Sequence, residues 1–260
     1  MNDPTSLAHS TVFKRNSGVD LASYCMSEKL DGIRAIWTGG KLYFRSGREI
    51  KVPAAWTTGF PNQSMEGELY IGRGKFNDVG STVRKLEPVL SEWERVKFVL
   101  FDLPDEPGSF EERHAKLQQL STMSPQLSVI QTTDTPATEA ELLSMLSALM
   151  KKGGEGYMLH KRDAPYVVGR STNTLKLKGK LDTEGVVFAH VAGKGKHEGR
   201  LGAIMVRMKN GVEFKLGTGF TDAVRENPPP IGCKVTFEYR ELTPSGKPRF
   251  ASFVRIREAE

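Results

Sequence analysis

A lysine inside a tight polar turn is the first feature of this sequence that could carry out chemistry. Lys29 precedes Leu30, Asp31 and Gly32, and Arg34 follows two residues later. An amine attacks an electrophile only when its proton is removed or its pKa is lowered by burial, cations or a metal ion. Lys29 is therefore a candidate nucleophile towards phosphorus, with Arg34 available to stabilise phosphate charge. A surface turn is the simpler interpretation, since Asp-Gly is a common turn dipeptide.

Two further clusters contain acidic and aromatic side chains next to apolar segments. Glu66 and Glu68 lie in residues 65–71, whose later positions are apolar, as in a strand entering a core. A carboxylate there would suit a ribose hydroxyl or a metal ion. Phe101 lies in the apolar segment 97–103, which predicts a buried strand and offers an aromatic face to a base. Solvated glutamates and a core phenylalanine are the simpler interpretations.

A glycine-rich segment and a lysine pair complete the set. Glu155 lies within residues 153–156, where glycines permit close backbone approach to a ligand. A carboxylate beside phosphate oxygens is a ligand arrangement that Mg²⁺ accepts. In residues 174–178, alternation places Lys176 and Lys178 on one face of a strand. A solvated loop and an edge strand with a lysine face are the simpler interpretations.

Composition favours a two-domain protein with a polyanionic partner. The chain has 260 residues and a formal net charge of +6, enough length for a sizeable core or two modest domains. A polar, glycine-bounded stretch at residues 178–185 predicts the boundary, with domains at residues 1–181 and 182–260. The first domain is predicted to be α+β with a largely antiparallel core.

The hydrophobic pattern predicts the main elements of both domains. In the first domain it predicts strands at 35–37 and 41–44 and helices at 110–120 and 139–151. In the second it predicts five strands, which suit a β-barrel, at 185–192, 201–209, 212–216, 233–241 and 250–257. Residues 227–230, Asn-Pro-Pro-Pro, are predicted to form a connector rather than a central strand.

Taken in order, these clusters resemble the nucleotidyltransferase motifs of the superfamily that contains ATP-dependent DNA ligases and RNA-capping enzymes. The resemblance extends from about Lys29 to Arg257 and is closest to the minimal bacterial DNA ligases of the E type. It implies an α+β fold, with an adenylation domain at residues 1–181 and an OB-fold domain at 182–260. It also implies sealing of nicked double-stranded DNA, with ATP and Mg²⁺ or Mn²⁺, in repair, replication or recombination.

The resemblance assigns roles in the first domain. Lys29 would carry AMP covalently, and Glu155 and Glu68 would serve the metal ion. Nucleotide contacts would come from Glu28, Arg34, Glu68, Phe101, Lys176 and Lys178. Within these, Arg34 would contact nucleotide or nick phosphate, Glu68 the ribose and Phe101 the adenine.

Contacts with DNA and pyrophosphate complete the expected set. Residues 44–48 resemble the ligase element that holds the 5′-phosphate of the nick, which makes Arg45 the expected contact and Arg48 a second DNA-binding residue. The basic loop 193–200 suits a phosphate backbone through Lys194, Lys196 and Arg200. Arg255 and Arg257 resemble the element that orients pyrophosphate, although Glu258, Ala259 and Glu260 follow where many ligases have Asp and Lys.

Three alternatives share part of this pattern. A GTP-dependent capping guanylyltransferase and an RNA ligase would use the same lysine chemistry. A non-catalytic OB-type nucleic-acid-binding protein would not need Lys29, Glu68 and Glu155 together. Labelling with ATP against GTP separates the first alternative, and adduct formation separates the last.

The remaining sequence features concern thiols, compartment and assembly. Cys25 and Cys233 lie on opposite sides of the predicted boundary, and we predict two free thiols. No zinc-ligand spacing and no apolar segment of membrane-spanning length is present. The first residues lack a secretory signal. The expected compartment is the periplasm if a leader was removed, as in E-type relatives, and otherwise the cytoplasm. We expect a monomer.

Overall fold

The structure, a computed structural model, describes residues 5–257. The chain forms two compact units, Met1–Lys178 and Gly179–Glu260. The boundary predicted from the sequence falls just inside the first strand of the second unit, which begins at Leu181.

The first unit contains eleven strands among its described residues. They are β1 (Ala8–Val12), β2 (Tyr24–Glu28), β3 (Ile33–Thr38), β4 (Leu42–Phe44), β5 (Glu49–Ile50), β6 (Ser64–Tyr70), β7 (Lys97–Asp102), β8 (Leu127–Val129), β9 (Thr132–Asp134), β10 (Gly156–Lys161) and β11 (Gly169–Lys178). One sheet has the order β1-β11-β10-β2-β9 and the other β5-β4-β3-β6-β7-β8. Pairs β1–β11 and β7–β8 are parallel and the other described pairs of these sheets are antiparallel, which confirms the predicted arrangement.

Four α-helices lie between these strands: α1 (Phe76–Val83), α2 (Leu90–Trp93), α3 (Phe110–Leu120) and α4 (Glu139–Lys151). The bounds of α3 and α4 are those predicted from the sequence. Each begins with a capping box, formed by Ser109 and Glu112 in α3 and by Thr138 and Glu141 in α4. Such a box pairs backbone N–H groups that the first helical turn leaves without partners.

The core of the first unit packs against the six-stranded sheet. Trp56, Trp93 and Phe98 are fully buried within it, and the rings of Trp56 and Trp93 lie 4.7 Å apart. Burial of each large apolar side chain contributes about 1.5–3 kcal/mol to folding. This sheet therefore forms a stable support for residues on β3, β6 and β7.

The second unit is built around a five-stranded antiparallel sheet. Its elements are β12 (Leu181–Ala192), β13 (Leu201–Met208), β14 (Glu213–Leu216), α5 (Asp222–Glu226), β15 (Lys234–Tyr239), β16 (Glu241–Leu242), β17 (Pro248–Arg249) and β18 (Ser252–Ile256). The sheet has the order β14-β13-β12-β15-β18, and β16 and β17 form a separate hairpin. All five predicted strands are present, with ends shifted by up to four residues.

Closure of this sheet and the position of α5 depend on long-range contacts. The outer strands β14 and β18 share no described ladder, but Phe253 N–H donates to Thr218 O at 2.8 Å, which joins β18 to the residues after β14. The sequence prediction missed α5, a helix of five residues. Buried Arg225 anchors it by donating to the carbonyl oxygens of Leu201, Gly202 and Gly217.

Both cysteines are free, as predicted, and burial raises the pKa of the Cys25 thiol to about 11. Within residues 5–257, none of the helices has the length and apolar character needed to cross a bilayer.

Candidate active site

The candidate site is a cavity of about 610 Å³ in the first unit. Its walls come from both sheets of that unit. Most of the residues predicted for this unit line it, namely Glu28, Lys29, Arg34, Arg45, Arg48, Glu68, Phe101, Lys176 and Lys178. A volume of this size is within the range of small-molecule sites.

Lys29 is held by a carboxylate that also binds a second lysine. Lys29 Nζ lies 2.6 Å from Glu155 Oε2, and Lys178 Nζ lies 2.6 Å from Glu155 Oε1. The side chains of Lys29 and Glu155 are about one quarter exposed. The backbone adds a contact, because Lys29 N–H donates to Gly156 O at 2.8 Å. The turn therefore belongs to a cavity wall and is not a solvated surface turn.

Two glycines make this close approach possible. A Cβ on Gly32 would lie 2.4 Å from Leu69 O, and a Cβ on Gly156 would lie 2.1 Å from Leu177 O. Gly32 N–H also donates to Glu68 Oε1 at 3.2 Å. The glycine after Asp31 thus lets the turn that carries the lysine pack directly on β6.

Strand β11 brings the two lysines to this wall. It lies between β1 and β10, so it is not the edge strand that the simpler interpretation required. Burial lowers the pKa of Lys176, and the charges of Lys178, Lys29, Arg170 and Arg45 lower it further. A phosphate would relieve this repulsion between cations.

Glu68 lies on β6, in the sheet opposite the one that carries Lys29, and lines the same cavity. Burial raises its pKa to about 7, against the effects of Lys29, Arg34 and the Gly32 N–H, while Glu155 raises it further. Glu68 is therefore a partly buried acid whose charge changes near neutral pH.

We expect Glu68→Gln to change the pH dependence of stability. The ordinary glutamate pKa of 4.5 is raised to about 7 in the folded state, so wild-type protein loses stability relative to the variant as pH rises through that interval. The free energy of unfolding of Glu68→Gln minus that of wild type should grow by up to about 3 kcal/mol between pH 5 and pH 8. Denaturant unfolding measures it through tryptophan fluorescence, because Trp37, Trp56 and Trp93 all lie in the first unit. A difference that does not vary with pH would contradict the burial of this carboxyl.

Arg34 is engaged by protein groups. Its Nε donates to Glu66 Oε1 at 2.5 Å and its Nη2 donates to Ala8 O at 2.7 Å. Glu66 is almost fully buried and also accepts from the Tyr166 hydroxyl at 2.9 Å. Burial raises the pKa of Glu66, and the charge of Arg34 lowers it. The predicted phosphate contact of Arg34 would therefore use only the part of the guanidinium that faces the cavity.

The residues predicted to have specific roles include neither Glu66, which the sequence offers only as a carboxylate close to Glu68, nor Tyr166. The sequence could have indicated Glu66, because it stands two residues before Glu68 and so points to the same face of β6. No local pattern indicates Tyr166, since its partners Ala8 and Glu66 are distant in the sequence. The two residues position Arg34 and the first strand of the unit.

The apolar part of the cavity contains Phe101 and a buried histidine. The guanidinium carbon of Arg34 lies 5.6 Å from the centre of the Phe101 ring. His160 Nε2 lies 3.0 Å from Ser27 Oγ, and its ring stacks on Phe110 at 4.4 Å. Burial lowers the pKa of His160 to about 3, so the ring is neutral. His160 is not among the residues predicted for the site, because its partners are remote along the chain.

Glu28, predicted to bind nucleotide, lines the cavity but also forms a two-bond ion pair. Its carboxylate accepts from Arg73 Nε at 2.8 Å and from Arg73 Nη2 at 2.7 Å. Arg73 also donates to Lys152 O at 3.3 Å. Glu28 therefore connects the strand before Lys29 to the loop after β6.

The predicted DNA-binding and pyrophosphate residues of the second unit have different environments. Lys194 and Lys196 are exposed, whereas Arg200 lies 3.1 Å from Asp222 and 3.9 Å from Glu226. Arg255 is exposed on β18. Arg257 forms an ion pair with Glu184. Glu258, Ala259 and Glu260 lie outside the described residues.

The carboxylates near Lys29 fit a magnesium ion only together with phosphate oxygens. Among residues 5–257, no group of three or more His, Cys, Asp or Glu side chains could hold a metal ion. The charge of Glu155 raises the pKa of Glu68. Mg²⁺ commonly takes one or two carboxylates and completes its shell with water and substrate phosphates. Glu68 and Glu155 satisfy that requirement.

The α+β unit with this cavity and the five-stranded antiparallel unit after it define the class as a nucleotidyltransferase domain followed by an OB-type domain. Residues 192–257 match the family model for the DNA ligase OB-like domain. The chain is 37% identical over 236 residues to a DNA ligase of Haemophilus influenzae, covering 90% of this chain and 87% of that protein. The chain belongs to the DNA ligase family, and the predicted fold class is confirmed.

Solved structures agree with this membership. A structure from work on Lig E DNA ligases and DNA binding with a minimal scaffold is 40% identical, covers 97% of this chain and 99% of its own, and superimposes with a TM-score of 0.78. The Chlorella virus DNA ligase-adenylate is 24% identical over 99% of both chains, with a TM-score of 0.56, and shares the fold.

Proposed function

We propose that the protein is an ATP-dependent DNA ligase that seals nicks in duplex DNA through AMP bound covalently to Lys29. The observation that carries the proposal is the position of Lys29 Nζ, 2.6 Å from Glu155 in a cavity lined by further cations. Membership of the DNA ligase family and the resemblance to E-type ATP-dependent ligases support it.

The first step is transfer of AMP to the enzyme. Lys29 Nζ attacks the α-phosphorus of ATP, the N–P bond forms, and the bond from that phosphorus to the bridging oxygen breaks to release pyrophosphate. Glu155 Oε2 is close enough to accept the proton that Lys29 must lose. Lys176 and Lys178 stabilise charge on the phosphoryl oxygens. Bound Mg²⁺, held by Glu68 and Glu155, would neutralise phosphate charge.

Two further transfers complete the reaction. An oxygen of the 5′-phosphate at the nick attacks the phosphorus of the lysine adduct, and the N–P bond breaks with its electron pair returning to Lys29. The 3′-hydroxyl then attacks the 5′-phosphate, AMP leaves, and the phosphodiester forms. Arg45 is exposed in the turn after β4 and lines the cavity. This exposure supports a role for Arg45 in holding the 5′-phosphate.

Arg45→Ala should slow adenylation of the nick by about 10–100-fold while changing self-adenylation by less than about threefold, because only the second step uses the 5′-phosphate. Single-turnover assays on nicked duplex separate the two rates. Lys41→Ala is the control, since Lys41 is an exposed cation of the same hairpin and pairs with Glu49 at 3.2 Å. Loss of self-adenylation with normal nick adenylation would overturn the assignment.

The proposed partner is nicked double-stranded DNA. The proposed oligomeric state is a monomer, and the proposed compartment is the periplasm or the cytoplasm. Basic residues Lys194 and Lys196 of the second unit are exposed and suit phosphate contacts. The net charge of +6 agrees with a polyanionic partner.

Intact-mass spectrometry tests the proposal. Purified protein, stripped of bound AMP, is incubated with Mg²⁺ and either ATP or GTP, and the modified residue is mapped. An AMP adduct on Lys29 from ATP alone is expected, followed by sealing of nicked DNA. A GMP adduct would indicate a capping enzyme, sealing of RNA alone an RNA ligase, and no adduct a binding protein.

A further inference from the structure

Two arginines of the cavity wall lie over aromatic rings that are anchored in the core. The guanidinium carbon of Arg48 lies 4.6 Å from the centre of the Phe44 ring, and that of Arg84 lies 5.9 Å from the centre of the Phe76 ring. Both rings pack against the core of the first unit. Both arginines line the cavity that contains Lys29.

The position of Arg84 depends on a glycine one helical turn earlier. A Cβ on Gly80 would lie 2.4 Å from Arg84 Nη1. The guanidinium therefore occupies space above α1 that any larger residue at position 80 would take. The ring of Phe76 and the space left by Gly80 together permit this position of the Arg84 guanidinium.

Neither arginine has a carboxylate within ion-pair distance among residues 5–257. The neighbouring cations differ: Lys85 lies 2.5 Å from Glu92, and Arg95 lies 3.7 Å from Asp78. Arg48 and Arg84 thus bring unbalanced positive charge to one cavity, and both are exposed. A guanidinium near a ring and without a carboxylate partner can still donate from its planar N–H fork, which matches two phosphate oxygens.

We infer that Arg84, together with Arg48, binds a phosphodiester group of the DNA strand next to the nick. The inference rests on the proposed ligase function. The nucleotide phosphates are already served by Lys29, Lys176 and Lys178. A DNA duplex is larger than the cavity, and exposed arginines at the cavity wall can contact it. Arg84 thereby extends the phosphate-binding surface from the Arg45 turn to the end of α1.

The test compares binding of a nicked duplex that ends in a 3′-dideoxynucleotide, which the AMP-loaded enzyme cannot seal. Arg84→Ala should raise Kd by about 5–20-fold and reduce the slope of log Kd against log salt by about one. Arg84→Lys keeps the charge but lacks the planar guanidinium, and its Kd should lie between those of wild type and Arg84→Ala. Lys85→Ala, which removes one charge at the next residue, should change Kd by less than about twofold.

A second variant moves Arg84 without changing charge. Gly80→Ala should displace the guanidinium and raise Kd by about 2–5-fold, with Arg84 intact. Tryptophan fluorescence confirms that each variant is folded. Arg84→Ala with the Kd and salt slope of Lys85→Ala would overturn the inference. An increased KM for ATP in self-adenylation, with unchanged nick binding, would assign Arg84 to the triphosphate and also overturn it.

Failure of the Arg84 inference can be distinguished from failure of the proposed ligase function. Self-adenylation of wild-type protein tests the ligase chemistry by itself. The same binding series on protein without AMP tests Arg84 even if no adduct forms. Loss of nick affinity in Arg84→Ala with normal self-adenylation is the result expected if both are correct.

Discussion

We expect Lys29→Ala to slow self-adenylation by about 10³-fold or more and to leave sealing of a nick that already carries AMP within about tenfold of wild type. The difference is expected because the N–P bond to Lys29 forms in the first transfer and breaks in the second, whereas Lys29 makes and breaks no bond in the last. The first rate is measured by incorporation of labelled AMP, and the second by sealing of a synthetic adenylated nick.

Lys161→Ala is the matched control for this prediction. Lys161 lies on β10, the strand next to β11, and its ammonium is 3.8 Å from Asp163 with 41% of its side chain exposed. Both activities should remain within about twofold of wild type. Equal loss of both activities in a folded Lys29→Ala protein would contradict the role of Lys29 as nucleophile.

Arg113→Ala should lower the free energy of unfolding of the first unit by about 3–5 kcal/mol, because it leaves a carboxylate without its partner. Arg113 is 3% exposed, and its Nε lies 2.6 Å from Asp102 Oδ1. Its Nη1 also donates to Gly108 O at 2.8 Å and to Ala164 O at 3.0 Å. Asp102 follows Phe101 and lines the cavity, so nucleotide affinity should fall too.

Arg162→Ala provides the comparison, since Arg162 also has two carboxylate partners, Glu111 and Asp134, but these are 56% and 89% exposed. Arg162→Ala should lower the free energy of unfolding by less than about 1 kcal/mol. Denaturant unfolding, monitored by tryptophan fluorescence, measures the free energy of unfolding of both arginine variants. Similar values for the two arginine variants would show that burial of the Asp102–Arg113 pair does not govern stability.

Local patterns were sufficient for the elements whose causes are local. Helices α3 and α4 begin with capping boxes and have the predicted bounds. Strand β11 has the predicted alternation, with Leu175 and Leu177 buried. Helix α5 was missed because five residues carry too weak a periodic signal, and its anchor Arg225 bonds to carbonyl groups of remote strands.

The sequence by itself determined the residue types of the site, their order and the glycines that let Lys29 approach β6. It also determined family membership, because the ordered clusters are jointly specific. Only the tertiary structure decided the partners: Arg34 bonds to Glu66, Glu28 to Arg73, and His160 lies beside Ser27. It also placed Arg84 in the cavity wall. Such pairs join strands and loops far apart in the chain, and their distances depend on how two sheets pack, which local spacing does not encode.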